Sequence, residues 1–264
     1  ADGAPTVLNG RVYYQTFTDT TTRAYCVEAA TGTVLWGVPY FEGPYFMPPS
    51  PTVADGTVYI PSGMFGQNWL TALSERDGRQ LWTNPNGFVP AMLGTTPYTH
   101  VQDNFRALDA SNGNTVWSTP VQTASVPVLT STRAYGTQNR DLFALNLSTH
   151  AVVGTVASGN LNNFYAEPAV SGGNVYWISD GALQVRRESD LKLQWSFAGD
   201  GQLRGKPVIA AGYLYLSSVS STYILKISNH ALVSTLPVGG TVTVAAGKLF
   251  VAGLDGTLYA YQLH

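Results

Sequence analysis

One hairpin recurs along this chain, and its recurrence limits the folds available to it. In FRALDASNGNTVW, residues 105–117, an extended half-apolar run meets a Ser-Asn-Gly turn, followed by a second strand-like run closed by Trp117. YCVEAATGTVLW ends the same way at Trp36, LTALSERDGRQLW at Trp82 and LQVRRESDLKLQW at Trp195. LFALNLSTHAVV and ILKISNHALV are degenerate copies closed by Val153 and Val233. The closing residues 36, 82, 117, 153, 195 and 233 are 46, 35, 36, 42 and 38 residues apart. A lone hairpin is marginal in water, so a chain built of them must stack them.

A second signature precedes each hairpin. PTVLNGRVYY starts at Pro5, PTVADGTVYI at Pro51, PAMLGTTPYT at Pro90 and PVLTSTRAYG at Pro127. PAVSGGNVYW and PVIAAGYLYL follow at Pro168 and Pro207, and TVTVAAGKLFV from Thr241 is a version without proline. Each is a small-residue strand, a tight turn and an aromatic strand. Four strands in a period of roughly 40 residues is the sequence form of a β-propeller blade. The third strands, near Cys26, Ala72, Ala107, Ala144, Val185, Leu225 and Ala260, number seven.

The expected fold is therefore all-β: a seven-bladed β-propeller of four-stranded antiparallel blades, as one domain over residues 1–264. The blades are expected at 5–50, 51–89, 90–126, 127–167, 168–206, 207–240 and 241–264. The seventh repeat stops at GTLYAYQLH without a Trp-capped strand, which predicts a three-stranded last blade with residues 258–263 as its outer edge. Too few residues precede Pro5 to supply the missing strand, so closure would rest on packing between 6–8 and 242–244. The exposed edge would be open to strand pairing with flanking sequence or a partner.

Proline-led strand, Gly-x-Val-Tyr strand and Gly-x-x-x-Trp hairpin, in that order from Pro5 to about Gln262, resemble the PQQ-like β-propeller repeat. That family includes quinoprotein dehydrogenases, the outer-membrane assembly lipoprotein of the Bam complex, and sensor domains of surface kinases. The resemblance implies that Trp36, Trp82, Trp117 and Trp195 lie on outer strands and pack between blades. Each buried indole is worth about 2–3 kcal/mol. Trp117→Ala is then expected to destabilise the chain far more than Trp69→Ala, Trp69 being read as a loop residue.

The chemistry of the dehydrogenases does not transfer. As the resemblance has it, they hold pyrroloquinoline quinone with a disulfide between adjacent cysteines, a calcium-binding carboxylate and a catalytic aspartate. Cys26 is the one cysteine here, so that disulfide cannot form, and neither the cofactor nor calcium is expected. Asp55-Gly56, Asp77-Gly78, Asp180-Gly181 and Asp255-Gly256 each join strand-like segments and read as hairpin turns rather than calcium loops. His100, His150, His230 and His264 lack metal-ligand spacing, and His150 and His230 read as solvated turn residues. No nucleophile elbow, phosphate loop or paired carboxylates occur. No catalytic or metal-binding residue is assigned. An enzyme with a site at the channel mouth, a reduced quinoprotein, lyase or hydrolase, is the alternative.

Composition narrows the partners. Charged residues make up 11% of the chain and the net charge is -2, which leaves no basic footprint for nucleic acid. No apolar run is long enough to insert in a bilayer as a helix. The chain starts at Ala1 without a signal-peptide pattern, as a mature exported form or an excised domain would. From the family and the sparse charge, the expected location is outside the cytoplasm, in the periplasm, on the cell surface or secreted.

In four-stranded blades the fourth-to-first and second-to-third connections share one face, and those are the long ones here. Rigidly mounted loops commonly carry function. Tyr40, Phe41, Tyr45, Phe46, Trp69, Phe88, Phe164 and Tyr165, with Asn162, Glu167, Arg204 and Lys206 around them, form an expected contact surface for a protein or glycan. The expected function is a non-catalytic binding or scaffold propeller, on its own or as the sensor or adhesion module of a larger surface protein.

Overall fold

The computed structural model describes residues 4–17, 22–40, 50–64, 67–101, 103–121, 126–159 and 167–263. No helix occurs among them. Strands β1 (Thr6–Leu8), β2 (Arg11–Phe17), β3 (Thr22–Glu28) and β4 (Val34–Pro39) form the first sheet in chain order. The second is β5 (Thr52–Ala54), β6 (Thr57–Met64), β7 (Gln67–Ser74) and β8 (Gln80–Asn84). The third is β9 (Ala91–Leu93), β10 (Thr96–Val101), β11 (Asn104–Leu108) and β12 (Thr115–Pro120). The fourth is β13 (Val128–Leu129), β14 (Arg133–Gln138), β15 (Asp141–Asn146) and β16 (Ala151–Val156). The fifth is β17 (Ala169–Ser171), β18 (Asn174–Ser179), β19 (Ala182–Arg187) and β20 (Leu193–Phe197). The sixth is β21 (Arg204–Ala210), β22 (Tyr213–Ser217), β23 (Thr222–Lys226) and β24 (Leu232–Leu236). The last holds three strands, β25 (Gly240–Ala245), β26 (Lys248–Gly253) and β27 (Leu258–Gln262). This is the seven-bladed β-propeller, with its three-stranded last blade, that the repeats predict.

Turn chemistry makes the meanders. Asn9-Gly10, Asp55-Gly56 and Asp180-Gly181 carry positive φ at both residues, the two-residue turn whose twist matches antiparallel strands. The third-to-fourth turns are longer and share one design. Gly78 N–H donates to Ser74 C=O and Gly113 N–H to Asp109 C=O. Leu191 and His230 do the same with Arg187 and Lys226. Asp77, Asn112, Asp190 and Asn229, each just before the positive-φ residue, accept from the backbone N–H two positions on. Asp77-Gly78 is thus a turn of this kind, not a two-residue hairpin.

Two compact units divide the chain, residues 1–131 and 132–264. In the first unit, β6 is buried on both sides. Val58 and Ile60 join Tyr13, Cys26 and Trp36 toward the first sheet, while Tyr59 joins Trp82 and Leu108 toward the third. The period of two therefore sorts one apolar run into two seams, which is why the run reads as continuously apolar. The second unit repeats the scheme. Val175 and Trp177 pack with Tyr135 and Leu191, whereas Tyr176 and Ile178 pack with Leu214 and Leu216.

Trp36 and Trp82 are seam residues, as expected. The Trp36 Nε1–H donates to Glu75 C=O at 3.0 Å in the next sheet, and Trp82 Nε1–H to Ala110 C=O at 2.8 Å. A Cβ on Gly78 would stand 2.9 Å from the Trp36 indole, and one on Gly113 would run into that of Trp82. Glycine here admits the neighbouring ring as well as the backbone angle. The degenerate repeats differ from expectation. Every third-to-fourth pairing carries a bulge, and Val153 and Val233 sit at the bulge, half exposed, in the place Leu35 takes in the first sheet. Gly154 and Ser234 hold the tryptophan's place, opposite Ala144 and Ile224. Facing Gly154 is Leu191, buried despite a φ of 58°. Trp195 meets His230 ring on ring at 4.0 Å, so this histidine is a seam partner rather than a merely solvated turn residue.

Candidate functional site

The described parts of the expected contact surface fall into two groups, one in each unit. In the first unit, Tyr40 follows β4 directly and is buried: its hydroxyl donates to Gln15 Oε1 at 2.8 Å, and its carbonyl accepts from Thr22 Oγ1 at 3.1 Å. The ring pins the exit of β4 onto β2 and β3 and is not presented to a partner. Trp69 lies inside β7, opposite Ser62, half-buried, and is a strand residue rather than the loop residue expected. Phe88 is half-buried, and Thr99 Oγ1 clamps its backbone, accepting from its N–H at 2.7 Å and donating to its C=O at 2.9 Å.

The Phe88 ring meets His100 edge-on at 5.9 Å. His100 Nδ1 is buried without a hydrogen-bond partner, and burial pushes the imidazole down to about 4, so it is neutral at physiological pH. No local motif marks this role, since His100 matters here through its neighbours in β10 and the 84–88 segment. Hydrogen bonds hold that segment in place: Asn84 Nδ2–H donates to Gly113 C=O, Asn86 N–H to Asn84 Oδ1, and Arg106 Nη1–H to Asn86 C=O.

The second unit holds Glu167, Arg204 and Lys206. Arg204 and Lys206 were expected in a loop, but both lie in β21, which starts three residues ahead of Pro207. The register of β21 slips between Arg204 and Val208, and Gly205 between the two cations takes a φ of 77°. Lys206 Nζ pairs with Glu167 Oε2 at 2.5 Å. Arg204 and Lys206 line one side of a cavity of about 480 Å³, with Thr241 and Thr243 of β25 on the other. Ser217 Oγ stands at its wall and accepts from Gly240 N–H at 2.9 Å. Phe41, Tyr45, Phe46, Asn162, Phe164 and Tyr165 lie outside the described residues.

These groups differ in what they can do. The first offers a stiff aromatic edge with a neutral imidazole behind it. The second offers positive charge, hydroxyls and apolar walls at Val208, Val242 and Leu254. Among the described residues no three His, Cys, Asp or Glu side chains come together as metal ligands.

The family model described as outer membrane protein assembly factor BamB matches residues 1–125 and 88–231. The chain belongs to the BamB family. Its fold is that of solved BamB: BamB from Moraxella catarrhalis superposes with a TM-score of 0.76 at 16% identity, over 99% of this chain and 85% of that one. The computationally designed Ika8 protein gives 0.74 at 8% identity, over 99% and 96% of the two chains. A europium-containing methanol dehydrogenase gives 0.71 at 9% identity, over 98% and 77%. At these identities the likenesses to solved structures establish the fold alone. The sequence matches none of the curated proteins with which it was compared. Among the described residues of this BamB-family chain, no helix is long and apolar enough to cross a membrane.

Proposed function

We propose that this chain is a non-catalytic scaffold propeller that holds a protein partner on its loop face, outside the cytoplasm. The observation that carries the reading is the match over residues 1–231 to the family of the outer membrane protein assembly factor BamB. The described loop-face groups support it. Phe88 is held by backbone clamps, and the β21 cations stand beside an open cavity, so both sit on sheet ends that cost little to order on binding. The turns of the opposite face, such as Asn9-Gly10 and Gly172-Gly173, are two-residue connections with little surface to offer.

Crosslinking tests the reading. A photoreactive amino acid is placed at Phe88 or Lys206 on the loop face, and at Asn9 or Gly172 on the opposite face, in the organism of origin. Adducts to protein confined to the first pair are expected. Equal adducts from both faces, or none from the loop face, sink it.

A further inference from the structure

We propose that the β21–β25 cavity is a carboxylate-binding site, with Arg204 as the group that grips the ligand. The proposal rests on the reading of the loop face as a binding face and names what this part of it takes. Strands β21 and β25 lie side by side at the start of the sixth and seventh sheets. Arg204 and Lys206 come from one, Thr241 and Thr243 from the other. Among the described residues the Arg204 guanidinium has no carboxylate or hydrogen-bond partner, and neither do the Thr241 and Thr243 hydroxyls. Arg204 and Lys206 stand two positions apart in β21, and both side chains line the cavity.

Charge selects the ligand. Glu167 already compensates Lys206, so the site presents one uncompensated positive charge. That matches a monoanion, and Glu167 opposes a dianion such as a phosphate monoester. Arg204 offers the planar two-pronged donor geometry that fits a carboxylate. The two threonine hydroxyls can donate to the same oxygens. Val208, Val242 and Leu254 then suit an aliphatic body behind the head group. One class of ligand meets all three demands: a carboxylate on an aliphatic stem, supplied by the free end of a peptide or by an acidic side chain.

The test uses the intact chain and three capped dipeptides, followed by amide chemical shifts. Acetyl-Ala-Leu carries a free terminal carboxylate, acetyl-Ala-Leu-amide carries none, and acetyl-Glu-Leu-amide carries only the side-chain group. Saturable shifts at Thr241, Thr243 and Gly205 are expected with one or both acids and not with the neutral amide. Whichever acid binds identifies the source. Arg204→Ala should weaken binding at least tenfold and Arg204→Lys several-fold, with unchanged melting because the side chain is exposed. Thr241→Val should also weaken it. Binding should vanish below about pH 4, as the carboxylate takes up its proton. Equal binding of the neutral amide, no binding of either acid, or full affinity in Arg204→Ala overturns the proposal. Loop-face crosslinks that survive Arg204→Ala alongside any of those results would leave the scaffold reading standing. Carboxylate binding without loop-face adducts would do the reverse.

Discussion

At the scale of single residues, the volumes that meet at a seam are matched pair by pair. Trp36 lies over Gly78 and Trp82 over Gly113, while Trp195 lies flat on His230. Where the fourth strand brings Gly154, the next turn brings Leu191, at the cost of a left-handed backbone that leucine rarely adopts. Gly154→Trp should therefore lose about 1–3 kcal/mol by overpacking, and Leu191→Gly about 2–4 kcal/mol by vacating the seam, less what relief of φ returns. The pair combined should recover at least about 1 kcal/mol relative to the sum. Urea unfolding of the four proteins reads this, and strict additivity would rule it out. Trp82→Ala is expected to cost about 3–5 kcal/mol. Trp117 is more exposed than Trp36 or Trp82, and its ring meets Tyr98 and Phe105 within its own sheet. With Trp69 in a strand as well, the contrast between Trp117→Ala and Trp69→Ala should be smaller than a loop placement implied.

His100 makes the pH prediction. Its folded pKa, about 4, lies below the ordinary 6.5 because burial disfavours the charged ring. The unfolded chain thus binds more protons between those values, and stability falls as pH drops from about 6.5 toward 4. The loss is bounded at about 3 kcal/mol by the size of the shift and reduced by the ring's exposed edge. His100→Gln should flatten that part of the stability profile, measured as urea midpoints at pH 7 and 4.5. An unchanged slope would show that other groups set it.

At the scale of elements, the seventh sheet is the exception. It lacks a fourth strand, and among the described residues nothing pairs with the outer edge of β27. The neighbouring seam is also unfilled: Ser234 stands where an indole would, beside a cavity of about 630 Å³ walled by Tyr213, Ile224, Leu236 and Tyr261. An exposed strand edge invites pairing. The amides of β27 not bonded to β26 should exchange faster than those of β11, which pairs on both sides. Equal protection in the monomer would mean that another segment covers the edge.

At the scale of the whole molecule, fold and activity part company. The same propeller serves a methanol dehydrogenase and an assembly factor, so function lies in what the scaffold carries. Cys26 is the sole cysteine and is buried, with its thiol pushed up by desolvation, so the vicinal disulfide of the quinone enzymes has no counterpart here. Titration with pyrroloquinoline quinone and calcium should leave absorbance unchanged and give no dye-coupled alcohol oxidation. Stoichiometric uptake would reverse the assignment.

The strand meander, the number of sheets and the short last blade were legible in the chain because each rests on local chemistry. Turn residues set φ, alternation sets faces, and a tryptophan closes four of the seven repeats. What lay out of reach was decided between elements. A bulge in each outer pairing moved the seam from Val153 to Gly154 and from Val233 to Ser234, and a one-residue register shift leaves no mark on composition. Leu191 reads as an ordinary apolar residue until Gly154 stands opposite it. Tyr40 reads as a loop aromatic until Gln15 and Thr22 take its polar atoms. Arg204 and Lys206 could be chosen from their charge, but only the approach of β25 to β21 makes them one wall of a cavity. Local propensity is written in neighbouring residues, whereas a pocket requires side chains separated by dozens of positions, and their meeting is fixed by packing alone.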